Sequence, residues 1–163
     1  MLSMMFSFAK KIYKLLIKAG DYFQVALLLF FRLNWGWLFF VSGKGKLIHH
    51  PDIVDFFSSL HLPFPDQTAW FVGGVERLGG ILLMLGLAAR PVGLILAINM
   101  TVAYLSVADE RAKVFNFVKD QDSFFHADPF FFLLTSLLAF AFGAGPLSLD
   151  ALISRFLKKK AKK

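Results

Sequence analysis

The 163-residue chain is 57% hydrophobic and only 18% charged, with 21 phenylalanines, no cysteine and a net charge of +7. Soluble domains carry nearer a quarter of charged residues, so this apolar surplus points to lipid, and the missing thiols exclude disulfides, thiolate metal sites, iron–sulfur clusters and CxxC redox chemistry. The lysines crowd the two chain ends, which suits an anionic membrane surface and not nucleic acid.

In chain order, residues 1–19 form a basic amphipathic segment. Lys10, Lys11, Lys14 and Lys18 fall on one side of a helical wheel, with Ile12, Tyr13, Leu16 and Ile17 opposite. This pattern predicts an interfacial helix. No cleavage site follows it, so a secretory signal is not expected. Four apolar blocks then approach the roughly 20 residues a bilayer core requires. They are residues 22–42, 67–89, 91–108 and 129–145. Asp66 and Asp128 are expected as N-caps of the second and fourth. Between the first two blocks, Pro51-Asp52 opens a short helix with Ile53, Val54, Phe56, Phe57 and Leu60 on its apolar side, closed by Pro63 and Pro65. Residues 147–163 form a second basic amphipathic tail. The expected fold class is an all-α membrane protein, a four-transmembrane-helix antiparallel bundle over residues 20–146.

Arginine and lysine counts set the orientation. Eleven lie in the N-terminal segment, the turn at Arg90 and the tail, against five in the loops at 43–66 and 109–128. Both termini are therefore expected in the cytoplasm, at a bacterial inner membrane.

Three charges interrupt the apolar blocks: Arg32, Glu76 and Arg77. A charge at the centre of a membrane helix costs about 2.5–3.5 kcal/mol on insertion scales, so each needs a partner. Taking the first span to end at Ser42 and the second to begin at Asp66, Arg32 and Glu76 both lie about 15 Å from one boundary. An Arg32–Glu76 ion pair is the expectation. Gly36, Gly73 and Gly80 share the facing surfaces and are expected to bring the two backbones together. Arg77 points elsewhere, and its expected neighbours are Asn99, Thr101 and Tyr104 on the third span. Arg32, Glu76, Arg77 and Asn99 thus form a candidate intramembrane polar site. It reads either as a clamp fixing the bundle or as a pocket for a quinone head group, a proton or a small polar ligand. No metal site is expected: His49, His50, His61 and His126 lack ligand spacing, and no histidine lies in a span to ligate haem.

The ordered series of Arg32, SGKGK, LHLPFP, ERLGGILLMLGL, ARP and GAGPLSLD resembles the DoxX family of small four-helix membrane proteins over about residues 22–150. On this resemblance the pattern's arginine and glutamate correspond to Arg32 and Glu76, and its GG to Gly79-Gly80. Its closing segment corresponds to Gly143, Gly145, Pro146, Ser148 and Asp150. Arg77 and His49-His50 lie outside the pattern. Members of that family include a subunit of an archaeal thiosulfate:quinone oxidoreductase and membrane partners of redox and oxidative-stress proteins. The resemblance implies a quinone-linked or redox-associated subunit that docks a partner protein, without independent enzymatic activity. The alternative is a non-catalytic accessory or assembly protein that stabilises a larger complex or a homo-oligomer. A small-solute transporter fits less well, because no inverted repeat or broken helix is present.

Overall fold

The computed structural model describes residues 2–161, and their regular structure is entirely helical. Helix α1 runs unbroken from Leu2–Ile48, followed by α2 (His50–Ser59), α3 (Pro65–Leu85) and α4 (Ala89–Ser106). Two short helices, α5 (Ala108–Phe115) and α6 (Gln121–Phe125), lead into α7 (Phe130–Phe142) and the tail helix α8 (Leu149–Lys160). Three of these, α1, α3 and α4, are long and apolar enough to cross a membrane; α7 is a shorter apolar helix beside them.

The packing follows from where the chain omits side chains. Helices α1 and α3 form the main seam, and α4 with α7 the second. Gly36 faces Gly80 and Met84, while Gly43 abuts the backbone of Gly73 and Arg77. A methyl on Gly43 or Gly80 would collide with main-chain atoms of the opposite helix. Such contacts supply attraction where lipid offers no hydrophobic drive between helices. Between the two seams lies a core of Phe39, Leu83, Val92, Leu96, Met100 and Ala139. There Phe39 meets Phe132 edge-on, with ring centroids 4.7 Å apart. The outward faces carry Trp37, Phe71, Leu78, Ile98 and Phe140, all exposed, as a lipid-facing belt requires.

Several expectations are revised. The first span ends at Ile48 and not at Ser42, because S-G-K-G-K is helical: Gly43 lies buried against α3. The basic N-terminal segment continues the same helix, so the boundary expected at residue 19 is not marked by a break. Phe64 and Pro129 occupy the N-cap positions of α3 and α7, and neither Asp66 nor Asp128 caps through its side chain.

Candidate functional site

The glycine contacts fix the register of α1 against α3. With Gly36 opposite Gly80 and Gly43 opposite Gly73 and Arg77, Ser42 stands across from Glu76 and Arg32 from Gly86. Arg32 and Glu76 therefore sit about ten residues apart along the seam, or roughly 15 Å at helical rise. The expected Arg32–Glu76 pair does not form. Two shifts add up to this: α1 runs six residues past the end assumed for it while α3 starts one residue earlier, a net five, and α3 extends about five residues beyond the end of α1.

Glu76 is instead held by Lys46. Its carboxylate is almost fully buried, at 2% exposure, and accepts from Lys46 Nζ at 2.6 Å and from Ser42 Oγ at 2.9 Å. Asn99 Nδ2 on α4 donates to the other oxygen at 3.2 Å, and Lys46 also donates to Ser42 at 2.7 Å. Three helices thus converge on one carboxylate. Charge and hydrogen-bonding capacity are both met, which is the condition for burying an ion in a low-dielectric interior.

This cluster forms the polar wall of a cavity of about 390 Å³. Phe39, Val72, Met100 and Phe132 supply apolar surface, and α2 covers it with Phe56, Phe57 and Leu60. Of the apolar side expected for the 47–65 segment, Phe57 is buried over the cavity, while Phe56 remains half exposed. A largely apolar pocket of this size with a few convergent polar groups is the usual form of a small-molecule site.

Arg32 builds a second cluster at the opposite end of the bundle. Its guanidinium donates through Nη1 to the carbonyl of Ala144 and through Nη2 to that of Leu147 at 2.7 Å. Beside it, Gly86 ends α3 at φ +64°, a conformation glycine adopts without cost. Ala88 follows at φ +49°, an unfavourable region for alanine, but its amide and that of Ala89 donate to the two carboxylate oxygens of Asp150 at 2.8 and 2.9 Å. Asp150 lies in the first turn of α8 and also caps α4, so Arg32 and Asp150 together pin the tail to the bundle. Arg77, by contrast, is exposed, with its guanidinium 5.9 Å from the Phe40 ring centroid, and it reaches neither Asn99, Thr101 nor Tyr104.

Of the four candidate residues, the structure brings together only Glu76 and Asn99. Ser42 and Lys46 were not among the residues expected at this site. A signal for them exists: Gly36, Gly43 and Lys46 fall on one helical face at spacings of seven and three. Among the described residues no cluster of three potential metal ligands occurs. His50 stacks on Trp70 at 4.5 Å and lies 3.7 Å from Asp66 at the start of α3.

The fold and its buried charges define an integral membrane helical bundle with an internal polar site. The DoxX family model matches residues 27–109, just over half of the chain, and the chain belongs to the DoxX family. Ser42, Lys46, Glu76 and Asn99 all fall within that match, as does Arg32. The chain is also similar to a protein of Bacillus subtilis (strain 168) named "Putative oxidoreductase CatD", with 34% identity over 85 residues. That similarity covers 52% of this chain and 61% of the relative, less than two thirds of the relative's length. No solved structure matches the chain.

Proposed function

We propose that this DoxX protein is a redox-associated membrane subunit whose cavity receives the head group of a lipid-soluble quinone, with both termini in the cytoplasm of a bacterial cell and a partner protein that carries the chemistry. One observation carries the reading: a cavity of about 390 Å³, apolar on most sides, has Glu76, Lys46 and Asn99 grouped on a single wall. The residues present fit such a ligand. A quinone carbonyl needs donors, which Lys46 and Asn99 possess, and its ring needs flat apolar surface, which Phe39, Phe57 and Phe132 possess. The name of the Bacillus relative is in keeping with a redox role. The eleven-to-five distribution of basic residues supports the orientation.

The test is equilibrium binding of a short-tailed benzoquinone to the protein in lipid nanodiscs. Saturable binding that weakens at least tenfold in Phe57→Ala and Asn99→Leu is expected. Binding that never saturates, or that ignores both substitutions, would exclude the cavity as the site.

A second reading has its own support. Both carboxylate oxygens of Glu76 already accept hydrogen bonds from α1 and α4 without any ligand. A carboxylate so placed fixes three helices and suits an accessory protein that stabilises a larger complex or a homo-oligomer. Under this reading the protein co-purifies with a stable partner or as an oligomer, and no quinone binds.

A further inference from the structure

Helix α8 leaves the bundle where the spans end. Its Asp150 is bonded to the amides of Ala88 and Ala89 at the α3–α4 turn, and the Asp150 amide donates to the Gly86 carbonyl at 3.0 Å. Ser148 caps it, accepting from the Ala151 amide at 3.2 Å. The first turn of α8 is thereby fixed at the depth of a membrane boundary.

Beyond that turn the helix packs on little else. At 100° per residue, Leu149, Leu152, Ile153, Phe156 and Leu157 lie within an arc of roughly 140°, the width of an amphipathic stripe. All five are exposed, Phe156 to 66% and Leu157 to 63%. Arg155 and Lys159 border one edge of the stripe, Lys158 lies on the opposite face, and Lys160 closes the helix within the stripe's arc. A soluble helix would bury such a stripe against its own domain. Here it stays bare, tied to the rim of a membrane bundle and edged by cations on one side.

We propose that α8 is a lipid-reading helix: its apolar stripe enters the adjoining leaflet and its basic residues bind the phosphates of anionic phospholipids. The occupant follows from charge and position. The surface is apolar with cations along one edge and at its end, which fits acyl chains beneath anionic head groups, and it begins at the depth where those head groups lie. The four exposed lysines of residues 10–18 extend past the same end of the bundle and add to the positive field there.

The cysteine-free sequence makes the test direct. Phe156→Cys on the stripe and Ser154→Cys on the polar side are each labelled with an apolar bimane dye in the full chain, one copy per nanodisc. Iodide quenching is compared between neutral phosphatidylcholine and a mixture containing phosphatidylglycerol. At position 156 quenching should fall about threefold or more in the anionic discs, while position 154 remains open to iodide. High salt, or Lys158→Gln with Lys159→Gln and Lys160→Gln, should abolish the difference. Equal protection of position 156 in neutral and anionic discs would overturn the proposal, as would protection that develops only when a soluble protein is added.

Discussion

Lys46 closes on Glu76 at 2.6 Å, although a stretch of sequence that resembles a loop separates Lys46 from the apolar part of its helix. The ammonium is partly open, with 24% of its side chain exposed, and the carboxylate is shut in at 3%. The pair is therefore asymmetric. Removing the lysine strands a buried anion, whereas removing the anion leaves a cation that can turn toward the cavity.

Lys46→Met should accordingly cost more than Glu76→Gln. Stranding a buried charge costs about 3 kcal/mol or more, while the neutral amide keeps contacts with Ser42 and Asn99. Thermal unfolding in nanodiscs should rank wild type, Glu76→Gln and Lys46→Met in that order of stability. The double variant should recover part of the loss, with a coupling energy of about 1–3 kcal/mol. Equal effects from the two single substitutions would show that the carboxylate is not charged at this site.

Two glycines of one motif should behave oppositely. Gly43→Ala drives a methyl into the α3 backbone, and overpacking of this kind costs about 1–3 kcal/mol. Gly45 has nothing within 4 Å of where a methyl would stand, so Gly45→Ala should be neutral or slightly stabilising, since alanine favours helix. The contrast is measurable in unfolding midpoints, and a costly Gly45→Ala would argue that S-G-K-G-K is not helical.

Arg32 holds two carbonyls that a single ammonium cannot span in the same geometry. Arg32→Lys should leave the helices intact yet loosen the segment at residues 143–148. Limited proteolysis there should accelerate several-fold, and Asp150→Ala should do the same by freeing Ala88 and Ala89. If cleavage is unchanged in both, the tail is anchored by other contacts.

The connection between α5 and α7 carries a pH response of its own. Asp120 accepts from the hydroxyl and the amide of Ser123, and these bonds hold its carboxyl below the ordinary 3.8. A carboxyl depressed in the folded state adds order above its unfolded value, and that order is lost as pH falls through the lowered one. Exchange of the Ser123 amide should therefore quicken only in acid below the usual carboxylate range. Asp120→Asn should remove that acid step.

How much of this was legible in the residues can be judged from Gly43 and Lys46. Apolar block lengths located α3 and α4 to within a few residues, since their apolar runs are long enough to be legible despite the paired glycines of α3. At residues 42–46 two glycines and two lysines present the composition of a surface loop, yet they are helix. Glycine is there for interhelical approach, a tertiary cause that local composition does not record. That boundary placed Lys46 in a loop and accounts for part of the Arg32–Glu76 offset, the rest coming from the overhang of α3 past α1; the expected neighbours of Arg77 failed separately, because its side chain faces outward. Glu76, Asn99 and the glycine seam were readable because an unpaired charge and small residues in lipid each demand a neighbour. The attachment of Asp150 to Ala88 and Ala89 joins positions some 60 apart, and no spacing rule reaches that far.

At 47 residues, α1 is about 70 Å long, more than twice the thickness of a bilayer's hydrocarbon core. The helix is unbroken along that length. The basic N-terminal half and the two residues that hold Glu76, Ser42 and Lys46, are therefore parts of one continuous element.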